Sequence, residues 1–164
     1  PDRVRETLFN WLSFDIEGRH CLDLFAGTGI LGLEALSRGA AKSTFVDSAA
    51  ESCRQLKQNL AKLDANNTHI IQADVMQWLN SNMGNPFDLV FADPPFRQAL
   101  IQPLAELLER NRWLADRALI YLEYEADLSL PLFPANWTML KEKKTGQVIS
   151  TLFSRSEPMP DTAS

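Results

Sequence analysis

One stretch limits the fold more than any other: a strand-like run that ends in a glycine turn and continues as a helix. "HCLDLFA" (20–26) is largely apolar and leads into Gly27-Thr28-Gly29-Ile30-Leu31-Gly32, a G-x-G-x-x-G spacing. Glycine at the first two positions lets the backbone turn tightly and lets a ligand come close, because no Cβ intervenes. The spacing predicts a helix over "ILGLEALSRG" (30–39), stopped by Gly39. Its first turn would offer free N–H groups to an anionic part of that ligand.

The same alternation continues along the chain. Before the glycine turn, "DRVRETLFNWLS" (2–13) places Val4, Leu8, Trp11 and Leu12 on one helical face, with Asp2 as candidate N-cap. After it come a strand, "KSTFVD" (42–47), and a helix over 48–63. Ser48 and Glu51 form a candidate capping box there, and Cys53, Leu56, Leu60 and Leu63 a candidate inner stripe. "THIIQA" (68–73) reads as a third strand, "DVMQWLNS" (74–81) as a short helix and "FDLVFA" (87–92) as a fourth strand. A helix with Pro103 in its first turn precedes a fifth strand, "ALIYLEYE" (118–125). "WTMLKEK" and "QVISTLF" read as an antiparallel hairpin around Thr145-Gly146, and residues 156–164 as a flexible tail. Strands alternating with helices at short spacing predict a doubly wound, mostly parallel α/β sheet covered on both faces, one domain over 1–155.

Ligands of such sheets sit beyond the carboxyl ends of the strands. Those ends carry the glycine loop, Asp47, Asp74 and Asp93 in turn. Asp47 lies 20 residues beyond Gly27, placed for the ribose hydroxyls of a nucleoside-type cofactor. Asp74 can accept from an adenine amine, with Val75 supplying backbone and Met76 packing on the ring; it is equally suited to cap the helix that follows. The loop does not choose between NAD, whose pyrophosphate it could bind, and S-adenosylmethionine, whose methionine carboxylate it could bind.

Composition removes several classes. The chain has 164 residues, 16 basic against 21 acidic, for a net charge of −5, so nothing global pulls it toward nucleic acid. No apolar run approaches the ~20 residues of a membrane span, which predicts a cytoplasmic protein with no membrane partner. Cys21 and Cys53 are expected to be unpaired buried thiols. With His20 and His69 the only histidines and no C-x-x-C, no metal site is expected. No exposed apolar stripe stands out, which predicts a monomer.

"DPPF" (93–96) resolves the choice of cofactor. Two prolines after a strand stiffen the chain and contribute no N–H, so the corner offers acceptors: the Asp93 carboxylate and the Pro94 carbonyl. Such a pair suits a substrate –NH₂ and can aim its lone pair at a methyl carbon. Positive charge then develops on nitrogen, where Asp93 stabilises it. Pro95 holds the corner, and Phe96 offers a flat face for an unstacked base. A dehydrogenase leaves this tetrapeptide unexplained.

"DLFAGTGILGLEALSRGA" together with "DPPF" resembles Rossmann-like, S-adenosylmethionine-dependent amino-methyltransferases. With "DRVRETLFNWL" and "GQV" (146–148), the chain is similar over 1–155 to bacterial small-subunit ribosomal RNA guanine-N2 methyltransferases. The resemblance implies a seven-stranded methyltransferase sheet whose last strand is antiparallel. It implies transfer of one methyl to the exocyclic amine of a guanine in small-subunit ribosomal RNA, within a subunit or assembly intermediate. The cofactor set it implies is Asp23, Phe25, Ala26, Gly27, Thr28, Gly29, Asp47, Ser48, Asp74, Val75 and Met76, with Asp93, Pro94, Pro95 and Phe96 on the target base. Arg3, Arg5, Arg97, Lys141, Lys143 and Lys144 are candidates for RNA phosphate, with the methionine end of the cofactor as the other expectation for Arg3 and Arg5. D-P-P-F alone is shared with DNA adenine and cytosine amino-methyltransferases, which remain an alternative; an NAD oxidoreductase and a non-catalytic ribosome-assembly module are more remote. The sequence begins at Pro1 without the basic stretch usual before that family's leading helix. That predicts either missing upstream residues or an assembled particle as substrate, which relaxes the need for a basic surface.

Overall fold

Seven strands form one sheet in the order β3-β2-β1-β4-β5-β7-β6. In chain order the elements are α1 (Asp2–Trp11), β1 (His20–Leu24), α2 (Ile30–Ser37), β2 (Lys42–Asp47), α3 (Ala50–Lys62) and β3 (Thr68–Gln72). There follow α4 (Val75–Ser81), β4 (Phe87–Ala92), α5 (Ile101–Arg110), β5 (Leu114–Glu125), β6 (Trp137–Thr145) and β7 (Val148–Arg155). This computed structural model describes residues 2–63, 66–82, 84–95, 99–126 and 131–158. β1 to β5 pair in parallel, and β7 joins β5 and β6 antiparallel. The chain leaves β1 toward β2 and β3, then returns to β4 on the other side. The sheet's switch point therefore lies between β1 and β4, with the cleft beyond their carboxyl ends.

Period-two alternation sorts the side chains to two faces. Leu22, Leu24, Val90, Ala92, Ile120 and Leu122 pack with the apolar sides of α4 and α5. Cys21, Leu89, Phe91, Leu119 and Tyr121 pack with α1 and with Ala35 of α2, while Phe45 meets Leu56 and Leu60 of α3. Val4, Leu8 and Leu12 are buried as their spacing predicts, and Phe9 joins them against Phe91. α2 ends as expected: Gly39 N–H donates to Leu36 O and Ala40 N–H to Ala35 O, a Schellman pair. Both cysteines are buried and free. Among the described residues no helix is long and apolar enough to cross a membrane.

Three local expectations are corrected. The Ser48/Glu51 capping box does not form; the N-cap of α3 is Ala49, whose N–H goes to Asp47 Oδ1 at 2.8 Å. Glu51 instead pairs with Arg54 on the helix surface. Leu63 is the C-cap of α3 and is 65% exposed, so the inner stripe ends at Leu60. β5 begins at Leu114 rather than 118, because a bulge at Arg117 (φ 64) carries the strand through exposed Asp116 and Arg117. Ser156 of the predicted tail is held, its N–H donating to Asn136 O and its own O accepting from Asn136 Nδ2; residues 159–164 lie outside the described residues. The hairpin turns at Gly146-Gln147, with Thr145 opposite Val148.

Candidate active site

The glycine loop follows β1 and is pinned from β2. Phe25, Gly27 and Gly29 all take positive φ, at 57°, 56° and 76°. Ala26 N–H donates to Val46 O, Gly29 N–H to Ala26 O, and Gly27 N–H to Asp47 Oδ2 at 2.8 Å. Asp47 thus receives one backbone N–H on each carboxylate oxygen, from Gly27 and Ala49, and joins the loop to the start of α3. Gly29 is the N-cap of α2, and a Cβ there would collide with Leu56. At Gly32 a Cβ would strike the Phe45 ring, so the third glycine sets how closely α2 lies on the sheet. Ser48 and Thr28 are exposed, and Ala26 is half-buried.

Asp23 works beneath this loop rather than in the cleft. It is buried, and its Oδ2 accepts the Gly32 N–H at 3.0 Å. Burial pushes its carboxyl up to about 8; the nearby charges of Asp47 and Asp93 add to the shift, and the Gly32 bond opposes it. The folded state therefore keeps a proton that the unfolded chain releases near ~4. Stability contributed by this group is full below that value and is lost as pH rises toward about 8. Asp23→Asn keeps an acceptor for Gly32 and cannot ionise. The wild-type urea midpoint is expected to fall more steeply than that of Asp23→Asn as pH rises through this window. Parallel curves would show that Asp23 is ionised in the folded protein.

Asp74 is the N-cap of α4, its Oδ1 accepting the Gln77 N–H at 2.9 Å, so the capping role is realised. Val75 is buried, and Met76 borders a groove of about 360 Å³ between α4 and α5 that Pro103 and Leu107 also line.

Asp93 directly follows β4, beside the loop. With Val4, Arg5, Thr28, Ile30, Leu31 and Glu123 it lines a cavity of about 310 Å³ where α1, the glycine loop, α2, β4 and β5 meet. Pro94 is buried and anchors the corner, and Pro95 is exposed. Phe96 and Arg97 lie outside the described residues. The Asp93 side chain keeps an edge open to solvent, but the protein mass on its other sides raises its carboxyl to about 7. The charge of Glu123, and a hydrogen bond with it, push the same way.

Sequence reasoning missed Glu123. The signal was present: an acid near the end of an otherwise apolar strand, at the sheet end where the other carboxylates gather. Among the candidate RNA contacts, Arg5 belongs to the cavity while Arg3 is exposed on α1. Lys141, Lys143 and Lys144 are exposed on β6, the outer strand, separated from β4 by β5 and β7. Lys141 and Lys143 stand opposite Leu152 and Ser150, and Lys144 opposite Ile149, so the three divide between the two faces. Charges there also protect a sheet edge from pairing with another chain.

A larger cavity, about 570 Å³, lies at the opposite ends of the strands, where His20, Lys42 and His69 meet Trp78 and Trp113. It takes both histidines away from the cleft. The described residues hold no group of three or more potential metal ligands.

A family profile described as "Conserved hypothetical protein 95" matches residues 1–154. The chain is 50% identical over 154 residues to Ribosomal RNA small subunit methyltransferase D of Escherichia coli, covering 94% of this chain and 77% of the relative. Its counterpart of the same name from Haemophilus influenzae is 46% identical, over 93% of this chain and 80% of that one. The solved structure of yhhF from Escherichia coli superposes with a TM-score of 0.92 at 49% identity, covering 96% of this chain and 89% of that one.

Proposed function

Because the chain belongs to the conserved hypothetical protein 95 family and to that of Ribosomal RNA small subunit methyltransferase D, we propose that it transfers a methyl group from S-adenosylmethionine to the exocyclic N2 amine of a guanine in small-subunit ribosomal RNA. One observation supports this reading above the others: Asp93, followed by two prolines, shares a cavity with the glycine loop.

The residues fit the cofactor. At Gly27 a Cβ would meet nothing within 4 Å, so the loop leaves open space above its backbone. Asp47 stands at the tip of the next strand for the ribose, and Asp74 keeps its second oxygen for the adenine amine. When bound, S-adenosylmethionine supplies an electrophilic sulfonium methyl.

The protein's own part is to hold a nucleophile in place. An exocyclic amine has a delocalised lone pair and attacks poorly. Asp93 and the Pro94 carbonyl can each accept one of its hydrogens, which turns the lone pair toward the methyl. The carboxylate also stabilises the positive charge that grows on nitrogen. Pro95 keeps the corner rigid, and Phe96 would stack on a base lifted out of its helix. Arg3 and the β6 lysines, with Arg97, are proposed phosphate contacts, and the acidic balance of the chain favours a ribosomal particle over naked RNA.

Labelled methyl transfer tests the substrate class. Small ribosomal subunits from a strain lacking the corresponding gene are expected to take up label, and large subunits and duplex DNA are not. Label in DNA would replace this reading with a DNA amino-methyltransferase. Binding to the particles is expected to weaken as salt rises; a flat response would remove the phosphate contacts.

A further inference from the structure

We propose that the cavity at the start of the sheet is a second binding site, for a nucleoside 5′-monophosphate unit: the base lies along its aromatic wall and the phosphate meets Lys42. The site is separate from the cleft at the glycine loop and does not depend on the reading of that cleft. The unit can come from a free nucleotide or from an unpaired nucleotide of RNA, and the chemistry that recognises it is the same.

Strand pairing brings the floor together on one sheet face. His20 stands beside Lys42, Leu22 beside Thr44 and Thr44 beside His69 in the β1–β2 and β2–β3 ladders. Alternation therefore puts His20, Lys42, Thr44, His69 and Ile71 on the face of Leu22 and Leu24, which packs with α4 and α5 further along. This floor, with a wall from α4 and from the residues that lead into β4 and β5, encloses about 570 Å³. Small-molecule sites occupy roughly 300–1,000 Å³.

The wall is fixed by the protein itself. Trp78 of α4 stacks on Trp113 with ring centroids 4.5 Å apart, and Phe87 lies 6.3 Å from Trp113 in a near-parallel plane. Trp113 is buried, and its indole N–H donates to Leu79 O at 3.0 Å. A Cβ at Gly84 would strike the Trp113 ring, so the chain before β4 lies directly on that indole. Trp78 and Phe87 are half-buried and line the cavity, which leaves aromatic surface for a planar ring. Base–aromatic stacking needs such a surface and tolerates every base.

The polar groups around the wall are unspent. Thr44 is 4% exposed and lines the floor, yet its hydroxyl makes no hydrogen bond among the described residues. Buried hydroxyls normally have a partner, so one left over inside a cavity is free for a ligand. Lys42, His20 and His69 are exposed at the rim, and their side chains have no ion pair among the described residues. No Asp or Glu is among the described lining residues. Asp88 is next to His20, but its carboxylate accepts the His20 backbone N–H at 2.9 Å, and the Arg19 guanidinium donates to its carbonyl. In a chain of net charge −5, a cavity lined without acids and with a lysine at its mouth favours an anion. A planar apolar face, a buried hydroxyl and a rim cation match a base, its polar edge and a phosphate in turn.

Adenosine and guanosine 5′-monophosphate are the probes, titrated into the full chain with excess S-adenosylhomocysteine present to fill the glycine-loop cleft. Saturable quenching of tryptophan fluorescence is expected, because Trp78 and Trp113 form the wall. Ribose 5′-phosphate, which lacks the base, is expected to bind at least about fivefold more weakly. Lys42→Ala, at an exposed position, is expected to weaken nucleotide binding about tenfold. Thr44→Val, which removes the hydroxyl at constant shape, is expected to weaken it about fivefold. S-adenosylmethionine affinity is expected to stay unchanged in both variants. No saturable binding at millimolar nucleotide overturns the proposal, and so does binding that neither variant weakens. Affinity for small ribosomal subunits separates the two sources. A several-fold fall in both variants sustains the site and assigns it to a nucleotide of RNA. Unchanged particle affinity alongside lost nucleotide binding sustains it for a free nucleotide.

Discussion

Asp93→Ala is expected to slow methyl transfer by about 10³-fold while S-adenosylmethionine affinity stays within a few-fold. The loss combines two effects. Removing the carboxylate takes away the charge that stabilises the developing ammonium, an effect worth on the order of 10²–10³ in kcat for a single preorganised group. It also leaves the amine with one acceptor instead of two, so its lone pair is no longer aimed. The cofactor side is insulated from the change, since the glycine loop is held by Asp47 and Asp23 and makes no described hydrogen bond to Asp93. Truncation opens no cavity, because the side chain already faces solvent and the buried Pro94 keeps the corner in place. Single-turnover rates and calorimetry separate the two quantities. A parallel fall in both would make Asp93 a structural residue.

Gly29→Ala is expected to destabilise the fold by about 2–4 kcal/mol and to abolish measurable cofactor binding, whereas Gly27→Ala costs about 1 kcal/mol. Both glycines have left-handed φ, 76° and 56°, so a side chain at either carries that strain. They differ in surroundings. Around Gly27 there is nothing within 4 Å, and only the backbone term applies. At Gly29 the new methyl would run into Leu56, with Phe45 at 3.3 Å behind it. Leu56 and Phe45 are buried and packed together, so neither has space to withdraw. Relief comes only by lifting the start of α2, which breaks the Gly29 N–H to Ala26 O bond and spreads the loop. Urea unfolding and calorimetry on the two variants measure this difference. Equal costs would mean that the loop yields freely.

The sheet was legible because alternation and periodicity depend on local sequence. The fourth strand was read at its true limits, Asp47 ends β2, and Asp93 directly follows β4. Capping was less legible, since it is decided by competition. Ser48 and Glu51 have the right spacing, but Asp47, two residues before Ala49, takes that N–H in a local turn and competes with the box. Leu63 fits the apolar period of α3, but the helix stops before it. Of the candidate site, the glycine loop and Asp93 were named from motifs, and the structure brings Thr28 and Asp93 to one cavity. Glu123 was not named, because what assigns it is proximity: it comes to line the cavity beside Asp93 only through the β4–β5 pairing. Arg5 was named, but its place in that cavity depends on α1 lying beside the glycine loop. Asp23 illustrates the reverse. Its position in the motif points to the cofactor, yet it is buried beneath the loop, where it accepts a bond from Gly32.

The central claim is that an acceptor corner grips an exocyclic amine so that its nitrogen faces the methyl. Digestion of the methylated small-subunit RNA to nucleosides, with mass-spectrometric identification of the labelled one, tests it most directly. The account predicts N2-methylguanosine, formed by the wild type and not by Asp93→Ala. Label on a ring nitrogen, a base carbon or a ribose hydroxyl would contradict it, because none of those atoms presents two hydrogens to Asp93 and Pro94.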